Sequence, residues 1–431
     1  EGTLNYALSE SSSWFGIDSS SGSVTMGKNT ITVTVNPAGL TISGSPYAED
    51  ITINNSDIPE DTKKIRVRIS ILAEDAYTTS YQYDSNANIT RHVTPNGDII
   101  EYAYDAANRL THVYYPDGKE VLYLYDANGN RIAMTDWHGT TYYVYDELNR
   151  LRAVQYPGIN PIYYEYDKSG KVSKIIYPTQ EEIRYTYDTD GRLETVTDSS
   201  GTTTYQYYPQ TNNLKKTILP NGVYATYAYD LAKRITDTVN RKSDGSVISS
   251  YHYVYDGNSN IIQETETNTT ETTIKNYTYD KLNRLTRADY SDGTFEAYTY
   301  DPMGNRLTLT TKTGTMNYGY DSDNRLLHAG STYYFYDKNG NTIRKASPQK
   351  TETYQYDYNN MLTQYSDGTT TVIYQYDGDR NRIAKIVNGV VTNYVNDINR
   401  PLVQVIMEAD GNWSVTKKYV YGLDLISQEE M

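Results

Sequence analysis

The chain has 431 residues, of which 49 are Tyr, 3 Phe, 3 Trp and none Cys, and its mean hydropathy is −0.71. This composition excludes disulfide bonds, thiolate metal sites and a cysteine nucleophile, and it argues against a single aliphatic core. The net charge is −15, and the sequence shows no basic stripe that could hold a nucleic acid. No segment has the run of about 18 apolar residues that a membrane span requires.

Residues 1–75 contain no Tyr-Asp pair and are rich in Ser and Thr. Apolar and polar residues alternate in Ile31–Val35, Ile51–Ile53 and Ile65–Ile71, and turn residues separate these segments. Short strands at this spacing predict an antiparallel β-sandwich for the segment.

The string from Val33 to Leu40, with Tyr47 and Ile51–Ile53 after it, resembles a BACON-type, immunoglobulin-like module. Such modules occur in surface proteins, often beside carbohydrate-active partners. Trp14 in this segment is either a core residue or a ring that stacks on a sugar, and a single Trp on a small sandwich favours the core.

A repeat with a period of 20 or 21 residues fills the rest of the chain. The dipeptide Tyr-Asp occurs fourteen times, and degenerate units occur at Tyr207-Tyr208 and Asn396-Asp397. The Asp residues of the fourteen pairs are Asp84, Asp105, Asp126, Asp146, Asp167, Asp188, Asp230, Asp256, Asp280, Asp301, Asp321, Asp337, Asp357 and Asp377.

Each unit predicts a strand that ends in a tight turn. Tyr recurs two positions apart before the Asp, as at Tyr102 and Tyr104, which places both rings on one face of a strand. Asn or Gly stands at the third residue after the Asp in most units, which indicates positive φ. We expect the Asp side chain to accept from backbone N–H groups two or three residues on. The structural turn residues predicted in this way include Asp105, Asp126, Asp146, Asp167, Asp188, Asp280 and Asp301.

A second turn lies half a unit later, as at Pro95–Gly97 and Pro116–Gly118, where Asn-Gly and Asp-Gly are strong hairpin signals. About seventeen units predict about thirty-four strands, and a sheet that long does not stay flat. The sequence therefore predicts an all-β chain, with the sandwich followed by a long spiral of β-hairpins that forms a hollow shell or tube.

The unit at Tyr102–Tyr125 resembles the YD repeat of Rhs proteins, which also occurs in bacterial wall-associated YD proteins, Tc-toxin cocoon subunits and the teneurin shell. The resemblance covers about residues 77–431 and implies a β-strand spiral around a hollow interior. We therefore divide the chain into residues 1–75 and 76–431.

The stretch Tyr419–Gln428 resembles the entry to the Rhs-associated core. In that family the core holds an autoproteolytic plug and is followed by a variable toxin. The chain stops at Met431 and opens with Glu1 rather than Met, so we expect a piece of a longer protein. We also expect no enzymatic activity, because a wet shell would not raise the pKa of its carboxylates.

Metal and cofactor signals are weak. The strings Asp126–Asn130 and Asp337–Asn341 resemble part of a calcium loop, but they lack the bidentate acid of the twelfth position. Turn closure explains the recurring Asp without an ion, so we expect no cofactor and keep calcium as the alternative. The five His residues form no zinc motif.

Two functions from different classes follow. The first is the structural shell of a secreted or cell-surface, polymorphic-toxin-like protein, which encloses a C-terminal polypeptide cargo absent from this chain. The alternative is a carbohydrate-binding or adhesin-like module that holds a cell-surface glycan on Tyr and Trp rings, with Trp137 and His138 at a hairpin tip as the best ligand-binding candidates. An enzyme built on the shell is a third interpretation.

Overall fold

The computed structural model describes residues 4–9, 15–17, 21–24, 33–35, 47–55, 62–69 and 78–431. Every regular element in these residues is a β-strand, which confirms the all-β fold class. The chain divides into two compact units, Glu1–Ala76 and Tyr77–Met431.

The first unit contains six described strands in two antiparallel sheets. A four-stranded sheet has the order β3-β1-β5-β6, and β2 pairs with β4. The BACON-type resemblance stays a prediction, and Trp14 lies outside the described residues. The bounds are β1 Leu4–Ser9, β2 Phe15–Ile17, β3 Ser21–Val24, β4 Val33–Val35, β5 Tyr47–Asn55 and β6 Thr62–Ile69.

The second unit contains thirty-four strands, the number expected from about seventeen repeat units. Their bounds are β7 Ser80–Tyr83, β8 Ile89–Val93, β9 Ile99–Tyr104, β10 Leu110–Tyr114, β11 Glu120–Tyr125, β12 Arg131–Asp136, β13 Gly139–Tyr145, β14 Leu151–Gln155, β15 Ile162–Tyr166, β16 Val172–Ile176, β17 Glu182–Tyr187, β18 Leu193–Asp198, β19 Gly201–Tyr207, β20 Leu214–Ile218, β21 Tyr224–Tyr229, β22 Ile235–Arg241 and β23 Val247–Tyr255. The series continues with β24 Ile261–Asn268, β25 Thr272–Tyr279, β26 Leu285–Tyr290, β27 Phe295–Tyr300, β28 Arg306–Thr311, β29 Gly314–Tyr320, β30 Leu326–Ala329, β31 Thr332–Tyr336, β32 Thr342–Ala346, β33 Thr351–Tyr356, β34 Leu362–Ser366, β35 Thr371–Tyr376, β36 Arg382–Val387, β37 Val390–Asp397, β38 Gln404–Ala409, β39 Val415–Tyr421 and β40 Leu425–Glu430.

The strands from β8 to β39 each pair antiparallel with the strand before and the strand after, so the unit is one continuous ribbon that runs from β7 to β40. Within residues 78–431 no strand register joins β7 to β40, and the ribbon therefore keeps two free edges. We call the turn after each odd-numbered strand a Tyr-Asp turn and the turn after each even-numbered strand a return turn.

The Tyr-Asp turns bend the ribbon. The third residue after the Asp has positive φ in all fourteen units, for example 60° at Asn108 and 91° at Gly129. Next to the turn the register shifts by one residue, as between Leu124 and Tyr125, which marks a β-bulge. Bulges increase local strand twist. A bulge repeated at one edge of the ribbon therefore curls it.

The curled ribbon returns onto itself after about 240 residues. The Asn96 backbone N–H donates to Asn339 Oδ1 at 3.0 Å, and the Gly378 N–H donates to Asp136 Oδ2 at 2.6 Å. Return turns of a first layer, residues 94–205, thus lie against Tyr-Asp turns of a second layer, residues 337–424. We call this contact the seam, and it confirms the predicted spiral.

Burial is concentrated at the seam. The Tyr three residues before the Asp is buried in five successive units, Tyr123, Tyr143, Tyr164, Tyr185 and the degenerate Tyr205. Their cross-strand partners in the first four cases are apolar: Met134, Val154, Ile175 and Val196. Along the chain between the two layers the equivalent Tyr is half-buried in most units, and its cross-strand partner varies, from Glu264 opposite Tyr253 to Leu309 opposite Tyr298.

Close approach at the seam requires Gly378. A Cβ atom at this position would lie 2.7 Å from Val121 Cγ1 and 3.1 Å from Met134 Sδ. Because interiors are close-packed, a larger residue here would push the second layer away from the first.

Replacing Tyr164 with Ala should lower the free energy of unfolding by about 3–5 kcal/mol, because a buried ring is lost together with its hydrogen bond to Asp397. Replacing Tyr253, which lies outside the seam, with Ala should lower the free energy of unfolding by clearly less. Urea unfolding of both variants measures the difference. Equal losses would contradict the assignment of the core to the seam.

Candidate functional site

The predicted turn carboxylates all lie in Tyr-Asp turns. At Asp146, Oδ1 accepts from the backbone N–H of Leu148 and of Arg150 at 2.9 Å, and Oδ2 accepts from Arg150 Nε at 2.7 Å. The backbone donors are thus two and four residues on, rather than two or three. Hydrogen bonding to Arg150 lowers the pKa of Asp146, so the carboxylate is ionised in its turn. The N–H of the fourth residue after the Asp donates in the same way to Asp105, Asp126, Asp167, Asp188, Asp280 and Asp301.

The fourth residue after the Asp makes a contact that the repeat pattern did not predict. It is Arg or Asn in twelve of the fourteen units, and in each of these its side chain donates to Oδ2 of the Asp. An Arg also stacks on the Tyr of the next unit, as Arg150 does on Tyr166 at 4.4 Å. An Asn instead bonds the next turn, as Asn130 does with Asn149 at 2.8 Å.

The Tyr next to the Asp links neighbouring strands. The hydroxyl of Tyr125 donates to the Leu110 carbonyl at 2.8 Å, and that of Tyr166 donates to the Leu151 carbonyl at 2.6 Å. These rings are therefore used in packing and hydrogen bonding.

Trp137 and His138 lie in the return turn between β12 and β13. Trp137 is 39% exposed, and its ring meets Tyr115 edge-on at 5.9 Å. The backbone N–H of His138 donates to Asp136 at 2.8 Å, and burial lowers the pKa of the His138 imidazole. The seam brings both residues against the Tyr-Asp turn that follows β33.

A cavity of about 550 Å³ opens beside Trp137. It lies between the two layers and is lined by Tyr115, Trp137, Asp357 and Tyr358 among others. Smaller cavities of about 330 and 430 Å³ continue along the seam toward Trp413. The cavity of about 550 Å³ beside Trp137 has the size of a small-molecule site.

Asp377 contradicts the expectation that no shell carboxylate has a raised pKa. It is 7% exposed, and burial together with the nearby Asp379 and Asp136 raises its pKa to about 6. Both of its oxygens nevertheless accept hydrogen bonds, Oδ1 from the Asp379 and Asn381 N–H groups and Oδ2 from the Asn381 side chain. The expectation failed because the second layer covers this turn.

The two calcium-like strings also serve turn closure. Asp337 accepts from Asn341 through both oxygens, and Asn96 of the first layer donates to its Oδ2. In the described part of the chain no group of three or more His, Asp or Glu side chains is placed to hold a metal ion. Nor do the described residues include a helix long and apolar enough to cross a membrane.

These features define the second unit as a shell-type ribbon of YD-repeat hairpins. The family described as Teneurin YD-shell matches residues 24–226 and 224–402. The chain therefore belongs to the Teneurin YD-shell family, which confirms the resemblance found in the repeat.

Relatives match parts of longer proteins. The chain is 33% identical over 148 residues to the tRNA nuclease WapA of Bacillus subtilis (strain 168) and to the tRNA3(Ser)-specific nuclease WapA of Bacillus spizizenii. These matches cover 33% of this chain and 6% of each relative. The crystal structure of TcdB2-TccC3-TEV is similar in fold, with a TM-score of 0.54 and 13% identity, over 93% of this chain and 28% of that chain.

Asp377 should make the seam less stable as the pH rises. Its pKa is about 6 in the folded chain against an ordinary value of 3.8, so the folded state binds the proton more tightly. The free energy of unfolding should therefore fall between about pH 4 and pH 6 through this group. An Asp377→Asn variant lacks the titration, so its stability relative to the native chain should rise over that window. Urea unfolding of both proteins at stepped pH measures the difference in stability. If the two free energies of unfolding changed in parallel with pH, a raised pKa of Asp377 would be excluded.

Proposed function

We propose that this chain is the structural wall of a container. It encloses a C-terminal polypeptide cargo that the chain itself does not include, in a secreted or cell-surface protein of the polymorphic-toxin type. The observation that carries the proposal is the seam, because it joins successive layers of the ribbon into a continuous wall.

The face of the ribbon that carries the Tyr rings outside the seam is polar enough to line a hydrated interior. Outside the seam the Tyr rings alternate with paired charges: Tyr277 donates to Glu264 at 3.1 Å, and Lys275 lies 3.2 Å from Glu264. An exposed apolar face would adhere to an unfolded polypeptide, whereas a hydrated polar face would not. Such a wall suits a cargo that must later leave.

The family membership and the fold likeness to TcdB2-TccC3-TEV are compatible with a shell role. The nuclease names belong to relatives of which this chain matches 6%, so they identify no cargo here. We assign to the chain enclosure and no catalytic step of its own.

A reporter peptide without stable structure, fused after Met431, should resist an added protease, whereas the same peptide fused before Glu1 should be cleaved rapidly. Enclosure is the physical reason, since a protease cannot reach a chain behind the wall. A Gly378→Val variant is the matched control, because its side chain would overlap Val121 and open the seam. In this variant the peptide fused after Met431 should lose its protection. Equal cleavage of the two fusions would contradict the container.

The purified chain should keep its intact mass during days of incubation between about pH 4 and pH 8. The turn carboxylates are occupied by hydrogen bonds to their own turns, and even the buried Asp377 has partners on both oxygens. Mass spectrometry follows the chain over time. Discrete fragments that vanish in the Asp377→Asn variant would show self-cleavage and overturn this assignment.

A further inference from the structure

Two of the fourteen Tyr-Asp units lack the usual side-chain bond to Oδ2 of the Asp. In the unit of Asp167 the Lys171 side chain donates to the Gly191 carbonyl instead, and the unit of Asp357 has no polar side chain at that position. Of the fourteen Tyr-Asp units, thirteen carry Arg, Asn or Lys at the fourth residue after the Asp, and the unit of Asp357 carries Met361. Asp357 Oδ1 still accepts from the Asn359 and Met361 N–H groups at 2.9 Å. Because Met361 has no polar side-chain group, Oδ2 of Asp357 receives no side-chain bond from its own turn.

This carboxylate lies at the wall of the 550 Å³ cavity between the layers. Several rings line the same cavity. Among them, Tyr115 and Tyr358 stack at 6.2 Å with planes 20° apart, and Trp137 stands at 79° to Tyr115. Asn359 donates to the Tyr115 hydroxyl at 3.0 Å, which fixes the rings across the seam. Rings at these angles form walls around a small group rather than one flat platform for a sugar.

The charges around the cavity leave Asp357 unmatched. Lys119 forms an ion pair with Asp117 at 2.9 Å, so these two cancel. Burial lowers the pKa of His138, which keeps that ring neutral near pH 7. The fields of Lys119 and Arg380 reach Asp357, yet burial still raises the pKa of its carboxyl. The Lys119 ammonium already lies 5.5 Å from the Trp137 ring centre, so this ring accepts cations.

We propose that the cavity formed by Asp357, Tyr115, Trp137 and Tyr358 binds a small organic cation, namely a quaternary ammonium group. Such a cation gives up water more readily than a metal ion does, and it is attracted to aromatic faces and to an unpaired carboxylate. The site requires residues from both layers, since Tyr115 and Trp137 come from the first layer and Asp357 and Tyr358 from the second. Binding would therefore hold the seam together. The inference is independent of the cargo.

Choline is the probe, and 3,3-dimethyl-1-butanol is its neutral isostere. Ligand-observed NMR titration of the full chain should show choline binding, with the isostere weaker by about tenfold or more because it lacks the charge. Equal binding of the isostere would overturn the proposal. So would binding of cellobiose in place of choline, which would establish the carbohydrate alternative at Trp137 and His138, or no binding of any probe.

Met361→Arg is the decisive variant, because it restores the side-chain partner that twelve other units supply to Oδ2 of the Asp. By analogy with Arg150, the new guanidinium should pair with Asp357 and stack on Tyr376. Choline affinity should fall about tenfold or more, with an unchanged or higher unfolding midpoint. Met361→Leu, which keeps the position apolar, is the matched control and should bind as the native chain does.

A Trp137→Leu variant provides a second readout that leaves the turn of Asp357 intact. It removes one ring of the cavity and should also weaken choline binding by about tenfold. Native affinity in either Met361→Arg or Trp137→Leu would overturn the assignment of the site.

Discussion

The repeat depends on one interaction, the acceptance of turn N–H groups by the Asp carboxylate. A turn with positive φ at its third residue after the Asp leaves backbone donors without partners in the strand ladder. The carboxylate satisfies two of them in most units, as Asp146 does with Leu148 and Arg150. Since a buried or half-buried donor without a partner costs about 1–3 kcal/mol, the Asp fixes where each strand ends. The bulge beside it then curls the ribbon.

The curl has a consequence that no single unit contains. After about 240 residues the ribbon meets its own earlier strands, and the return turns of one layer lie against the Tyr-Asp turns of the next. The side chains opposite the Tyr are apolar in the seam, as Val154 and Ile175 are, whereas outside it they are mixed, as Glu264 and Leu309 show. One Tyr position in the repeat is therefore a core residue in some units and a half-buried residue in others.

The candidate binding site arises where two exceptions coincide. Met361 withholds the usual partner from Asp357, and the seam places the rings of Tyr115 and Trp137 across from that carboxylate. Neither exception alone forms a site. Trp137 was identifiable from the sequence as an unusual ring at a hairpin tip, and Met361 could have been found by aligning the fourteen units. Their proximity could not, because they lie on different layers.

The sequence by itself determined the strands and turns of the repeat and the positive φ of the units with Asn or Gly at the third residue after the Asp, because each follows from contacts within about 20 residues. It determined the spiral through the number of strands, since a sheet that long does not stay flat. It also determined the family. The tertiary structure alone decided which Tyr rings are buried, why Asp377 has a raised pKa and which residues line the cavity. These depend on the offset between layers, which is the sum of small twists over many strands. No local pattern encodes that sum, so only the folded ribbon shows which distant turns meet.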